Sequence, residues 1–104
     1  MEFRGKRVVV TAGGGGIGAE TTRLFSEAGA SVFICDIDEA SLNETISKND
    51  NVQGIKVDVS DPEAFRDFFR QADEFLGGLD IMVNNAGTAG PTALIEDISL
   101  EEWH

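Results

Sequence analysis

Residues 7–18 read Arg-Val-Val-Val-Thr-Ala-Gly-Gly-Gly-Gly-Ile-Gly, and this stretch decides the fold. Its first five residues form an apolar, β-branched run that is typical of a strand buried on both faces. The glycines lead into a segment whose inner-face residues recur at helical spacing, namely Ile17, Thr21, Leu24, Phe25 and Ala28. Gly29 follows, where helices often end on a glycine. The stretch therefore predicts a buried strand, a glycine-rich turn and a helix.

The same alternation continues along the chain. Short runs at residues 31–35, 53–59 and 79–84 predict three more strands. Asp38 can cap a second helix that runs to about residue 47. Ser60 or Asp61, with Pro62 at the first helical position, opens a third helix. An apolar stripe marks the inner face of that third helix and consists of Phe65, Phe68, Phe69, Ala72 and Leu76.

Strands that alternate with helices are typical of βαβ units and parallel sheets. Right-handed connections then predict a Rossmann-type, doubly wound α/β fold with strand order 3-2-1-4. Residues 1–104 form one domain in this interpretation. Ser99 and Glu102 open a further helix that stops after one turn, so the sequence predicts a truncated, N-terminal part of a longer domain.

The net charge of −11 comes from 19 acidic and 8 basic residues. Such a surface repels phosphate backbones and anionic lipids, so we expect neither nucleic acid nor membranes as partners. The one cysteine, Cys35, lies in an apolar run and is predicted to be a reduced, buried thiol. The sequence shows neither a membrane-length apolar stretch nor a signal peptide, and cytoplasmic localisation is the default expectation.

The glycine-rich turn is the first candidate binding site. Backbone N–H groups at the start of a helix, together with the helix dipole, can hold a diphosphate without any basic side chain. We predict this role for Gly13, Gly14, Gly15, Gly16, Ile17 and Gly18. Glycine is required because a Cβ atom would hold the ligand away, and Gly18 would also let the helix approach the sheet. Alone, such a loop is also found in other nucleotide-binding proteins and in simple turns.

Asp36 follows the second strand, 18 residues beyond Gly18. An acidic residue about 20 residues after such a loop is placed to bind the adenosine ribose. Its charge would repel a 2′-phosphate, which favours NAD over NADP as the cofactor. Ile37, the next residue, is part of the same predicted site. The alternative interpretation is an ordinary carboxylate at a strand end, since Asp38 and Glu39 lie close by.

Three motifs together resemble the short-chain dehydrogenase/reductase family, specifically its single-domain branch. Thr11, Gly16 and Gly18 match its Thr-Gly-x-x-x-Gly-x-Gly motif, while Ala12 departs from the usual second glycine, so we expect a slightly altered turn. The other two motifs are Asp58-Val59, which in the family supports the adenine, and Asn84-Asn85-Ala86-Gly87, which in the family ties neighbouring strands and lines the adenosine side. Asn85, Ala86 and Gly87 are therefore included in the predicted cofactor site.

The resemblance implies hydride transfer between NAD(P) and a small alcohol or carbonyl substrate. It also implies a catalytic tyrosine in a Tyr-x-x-x-Lys motif, with a serine and an asparagine. This chain contains no tyrosine, so we place no catalytic residue within it and expect the 104 residues alone to be inactive. The alternative is a non-catalytic nucleotide-binding module or sensor. The predicted fourth strand, apolar on both faces, leaves an uncovered edge, and the phenylalanine stripe is a second apolar surface; we therefore expect a homo-oligomer.

Overall fold

A computed structural model describes residues 3–85. Its elements are β1 (Arg7–Thr11), α1 (Gly16–Glu27), β2 (Ser31–Asp36), α2 (Glu39–Lys48), β3 (Val52–Lys56), α3 (Pro62–Leu76) and β4 (Ile81–Asn84). The strands are parallel and lie in the order β3-β2-β1-β4, which confirms the predicted α/β Rossmann topology. Ala86, Gly87 and the helix predicted from Ser99 lie outside the described residues.

The parallel register brings the carboxyl ends of the strands to one edge of the sheet. Thr11, the last residue of β1, pairs with Cys35 of β2 on one side and with Asn84 of β4 on the other. The order of the strands therefore reverses at β1, and a crevice for ligands is expected at such a point. The glycine-rich turn and Asp36 both lie at this edge.

The sheet has an apolar core on each face. Val8, Val10 and Ile34 pack on the face that α1 and α2 cover, whereas Val9 and Phe33 pack on the face that α3 covers. The predicted stripe of α3 is confirmed, because all its members pack on this second core and Phe68 and Ala72 are fully buried. Since the stripe packs on the sheet, it is not available for the predicted self-association, and self-association through the edge of β4 stays a prediction.

The predicted inner face of α1 is confirmed at Phe25, which packs against the core, but it is wrong at Ile17 and Leu24. Ile17 and Leu24 are 79% and 55% exposed, whereas the buried residues of this helix are Gly18 and Thr22. Gly18 and Thr22 lie one residue position, about 100°, around the helix from Ile17 and Thr21. The helix turns this way because the face with the smallest side chain can approach the sheet most closely. Small residues on that face conceal it from a pattern based on hydrophobicity.

The strand boundaries differ slightly from the predicted ones. β3 ends at Lys56 rather than at residue 59, although the Val57 amide still donates to the Asp36 carbonyl at 3.0 Å. After that bond the chain turns towards α3.

Asp38 caps α2, and Asp61 rather than Ser60 caps α3. Ser60 instead donates from its amide and its hydroxyl to the Asp58 carboxylate.

Arg7 and Asp80 connect the amino ends of β1 and β4. The Arg7 side chain donates to both carboxylate oxygens of Asp80, at 3.0 and 3.1 Å, and to the carbonyl of Gly77 at 3.1 Å. The backbone amide of Arg7 also donates to this carboxylate. The hydrogen bonds from Arg7 hold the pKa of Asp80 below its ordinary value. The pair therefore fixes the turn between α3 and β4.

We expect Asp80→Asn to lower the free energy of unfolding at neutral pH but not in acid. A carboxylate whose folded pKa is depressed stabilises the protein above its unfolded pKa of about 3.9, and this contribution disappears as the pH falls through the folded pKa. The measurement is urea unfolding of both proteins between pH 7 and pH 2.5. Asp50→Asn, on an exposed turn, is the control for the change of charge. A difference that stays constant down to pH 2.5 would contradict the role of the Arg7–Asp80 pair.

Candidate cofactor-binding site

The glycine-rich turn joins β1 to α1 at the carboxyl edge of the sheet. The amide of Gly13 donates to the Cys35 carbonyl at 2.9 Å, and the amide of Gly14 donates to Oδ2 of Asp36 at 3.0 Å. These two predicted donors are therefore used within the protein. Helix α1 has Gly15 as its N-cap, which provides no side-chain hydrogen bond. The amides of the first turn, Gly16 to Gly18, are consequently the donors that the loop presents.

Two glycines of the loop have different physical roles. At Gly16, where φ is +55°, a Cβ would meet nothing within 4 Å, so the backbone at the start of α1 borders open space. At Gly18 a Cβ would lie 1.7 Å from the carbonyl oxygen of Ala12. The predicted close approach at Gly18 is confirmed, and it brings the start of α1 against the turn that follows β1.

Asp36 is half-buried, and its carboxylate faces the glycine-rich turn. One oxygen accepts the Gly14 amide, and the other accepts the amide of Asp38 at 2.9 Å. A carboxylate has about four acceptor positions, so each oxygen retains capacity for a further donor. The loop and the end of β2 thus hold a negatively charged acceptor in one fixed position.

A depression of about 130 Å³ lies beside Asp36, between the ends of β2 and β3. Its lining brings together four residues of the predicted site, Asp36, Ile37, Asp58 and Val59, and adds three that were not included in the predicted site: Ala12, Cys35 and Val57. In the sequence, the feature that these three residues share is their position at or next to the end of a strand.

The chemistry of this lining is divided between apolar and acidic groups. Ile37 is 62% exposed on the rim, and Val59 packs partly on the core. The bonds from Ser60 keep the pKa of Asp58 below its ordinary value. Cys35 is fully buried, and burial raises the pKa of its thiol to about 12. The predicted buried thiol is confirmed.

The two asparagines at the end of β4 differ in their bonding. The side-chain oxygen of Asn84 accepts the Thr11 hydroxyl at 2.8 Å and so ties β4 to β1. The side-chain nitrogen of Asn85 is buried and has no hydrogen-bond partner among residues 3–85. A buried amide that lacks an acceptor is costly to the folded protein.

The part of the chain that the structure describes holds no group of three or more His, Cys, Asp or Glu side chains that could bind a metal ion. Among its helices, none has the length and apolar character needed to cross a membrane.

Comparison with protein families identifies the chain. The family described as short chain dehydrogenase matches residues 6–104. The chain belongs to the short-chain dehydrogenase family. This membership confirms the resemblance drawn from the three motifs, and it makes the carboxyl edge the part of the domain in which a cofactor site is to be sought.

Several relatives in this family are named as oxidoreductases or dehydrogenases. The chain is 39% identical to an uncharacterized oxidoreductase of Thermotoga maritima, over 97% of this chain and 41% of the relative. It is 38% identical to an L-fucose dehydrogenase of Bos taurus, over 95% of this chain and 37% of the relative. The chain thus spans about two-fifths of the length of these relatives.

Solved structures show the same likeness. A hydroxysteroid dehydrogenase from Escherichia coli superposes with a TM-score of 0.78 and 32% identity, over 86% of this chain and 40% of that protein. A structure described as the RhlG/NADP active-site complex of Pseudomonas aeruginosa gives a TM-score of 0.74 and 37% identity, over 84% of this chain and 36% of that protein.

Ala12 is where the chain departs from the short-chain dehydrogenase motif. Its φ is +54°, which is left-handed backbone that strains a residue with a Cβ. The alanine therefore keeps a conformation suited to glycine, and the strain is retained in the loop.

We expect Ala12→Gly to raise the free energy of unfolding by about 0.5–1 kcal/mol. Left-handed backbone costs alanine about 1–2 kcal/mol, and the greater unfolded-state entropy of glycine offsets about 0.4–1 kcal/mol of the gain. Urea unfolding measures the difference. Ala40→Gly, in the exposed first turn of α2, is the matched control and should destabilise by up to about 1 kcal/mol. A loss of stability in both variants would contradict the strain at Ala12.

Proposed function

We propose that the chain forms the adenosine- and diphosphate-binding part of an NAD(P)-dependent oxidoreductase. The whole protein would transfer hydride between the nicotinamide cofactor and an alcohol or carbonyl substrate. One observation carries the proposal: the Gly14 amide donates to the Asp36 carboxylate at 3.0 Å, which joins the loop at the start of α1 to an acceptor at the end of β2. Family membership and the named oxidoreductases among the relatives support it.

The residues present fit a dinucleotide. The uncapped start of α1, with open space at Gly16, would receive the diphosphate. Asp36 would accept hydroxyl protons of the adenosine ribose, and the apolar Ile37 and Val59 would flank the adenine ring. The buried side-chain nitrogen of Asn85 would donate at the same edge. When bound, the cofactor supplies the hydride acceptor or donor, while these residues bind and orient it.

The charges around the site favour NAD over NADP. A 2′-phosphate at the ribose would meet the carboxylate of Asp36 and lie near that of Asp38. Two cations, Arg23 and Lys48, line the neighbouring groove between α1 and α2. Arg23 is paired with Glu20 and Glu27, and Lys48 is paired with Glu44 at 3.7 Å. Both cations are thus already neutralised, which leaves the phosphate facing net negative charge.

Calorimetry with ADP-ribose and with 2′-phospho-ADP-ribose tests the proposal. We expect ADP-ribose to bind at least about tenfold more tightly, because juxtaposed like charges cost several kcal/mol. Asp36→Asn should reduce this ratio towards one. Glu74→Gln removes the same charge near the other end of α3 and should leave the ratio unchanged. A chain that binds neither ligand would contradict the proposal, and equal affinities would contradict the preference for NAD.

The remaining expectations stay predictions. They are the alcohol or carbonyl substrate, the absence of catalytic residues from the 104 residues, the homo-oligomer, the cytoplasmic localisation and the roles of Ala86 and Gly87. An assay of the chain for reduction of NAD with mixed alcohols would test the expected inactivity.

A further inference from the structure

The hydroxyl of Thr45 forms a hydrogen bond outside its own helix. Thr45 lies in α2, is 6% exposed, and donates from its hydroxyl to the carbonyl oxygen of Gly14 at 2.9 Å. Hydroxyls within helices commonly bond a carbonyl one turn back, as those of Thr21 and Ser47 do here. Thr45 instead reaches the glycine-rich turn, 31 residues earlier in the chain.

Gly14 is held on both sides as a result. Its amide donates to Asp36, its carbonyl accepts from Thr45, and a Cβ on Gly14 would lie 2.8 Å from the backbone of Leu42. The residue therefore occupies a narrow slot between the end of β2 and α2. The contact with α2 and one of the two bonds to the Asp36 carboxylate therefore meet at a single residue, while the Asp38 amide supplies the other bond.

We propose that Thr45 is a positioning residue for cofactor selection: by holding the Gly14 carbonyl, it fixes the amide that orients the Asp36 carboxylate. This inference rests on the proposed function, since it assigns Thr45 a role in positioning two residues of the proposed cofactor site. Thr45 acts on the ligand through Gly14 and Asp36. Loss of its hydroxyl loosens Gly14 and lets the carboxylate move, which weakens ribose binding and the rejection of a 2′-phosphate together.

The test compares Thr45→Val with Thr45→Ser and with Ser47→Ala. Ser47 is the matched control, because its hydroxyl bonds a carbonyl in the same helix but does not reach the loop. We expect Thr45→Val to weaken ADP-ribose binding by about fivefold, equivalent to one lost hydrogen bond. Binding of 2′-phospho-ADP-ribose should weaken less, so that the ratio of the two affinities falls. Thr45→Ser keeps the hydroxyl and should therefore give the same ratio of affinities as the unmodified chain. Ser47→Ala should not change this ratio either.

Hydrogen exchange of the Gly14 amide provides a reading that needs no ligand. In Thr45→Val the Gly14 amide should lose protection relative to the amides of β1. General destabilisation would instead speed exchange at Gly14 and in β1 alike. Equal weakening of both ligands, with Gly14 exchange following that of β1, overturns the inference. If the unmodified chain binds neither ligand, the proposed function fails and the role in selection fails with it. If the ligands bind as proposed but Gly14 exchange does not change, only the role of Thr45 is wrong.

Discussion

Gly18→Ala is expected to lower the free energy of unfolding by about 3 kcal/mol, at the upper end of the cost of overpacking. The new Cβ would lie 1.7 Å from the Ala12 carbonyl oxygen and 2.7 Å from its carbon. Both are backbone atoms, so no side-chain rotation can relieve the overlap. Helix α1 must move away from the turn after β1, which also displaces the first-turn amides. Urea unfolding measures the loss, and a variant that fails to fold agrees with the expectation.

Gly15→Ala is the matched control. It adds the same methyl group three residues earlier, where φ is −148° and the nearest side-chain atoms, on Ser41, would be 3.7 Å away. That is an ordinary contact, and the change in stability should stay within about 0.5 kcal/mol. Similar losses in the two variants would show that α1 does not approach the turn as closely as the structure has it.

The second large effect is expected for Phe68→Ala, which should cost about 3–5 kcal/mol of unfolding free energy. Phe68 is fully buried in α3 and is the largest such side chain in the described part of the chain. Its ring centroid lies 5.4 Å from that of Phe33 and 5.3 Å from that of Phe69. Truncation therefore opens a cavity between α3 and the sheet that neighbouring rings cannot fill without leaving their own contacts.

Phe75→Ala distinguishes this cavity from the mere loss of an aromatic residue. Phe75 lies in the same helix, and its ring centroid is 5.8 Å from that of Phe33, but it is 42% exposed. We expect a cost of about 1 kcal/mol, since water can occupy the vacated volume. Equal losses for Phe68 and Phe75 in urea unfolding would contradict the assignment of Phe68 to the core.

The sheet topology was predictable because its signals are local and redundant. β1, β2 and most of β4 are β-branched or apolar runs, and capping residues such as Asp38 and Asp61 mark where helices begin. The orientation of α1 was not predictable from hydrophobicity. Its buried face is formed around Gly18 and Thr22, whose burial follows from close approach rather than from apolar character.

The sequence indicated where the residues of the candidate site lie in the fold, but it could not indicate which of their hydrogen-bond donors are engaged within the protein. Spacing identified Asp36, yet it could not show that the Gly13 and Gly14 amides are engaged by β2 and Asp36. Those bonds depend on how the turn folds back over the sheet, as does the contact with Thr45. The left-handed backbone of Ala12 was also hidden, because the sequence shows the substitution but not the conformation.

Cys35 makes the opening of the core between the sheet and α3 measurable. Alkylating reagents attack the thiolate, which both burial and the raised pKa withhold in the folded protein. Because the chain has one cysteine, and its side chain packs in the core between the sheet and α3, every label acquired in native buffer reports an opening of that core. The rate of labelling thus measures how often this core becomes accessible to solvent.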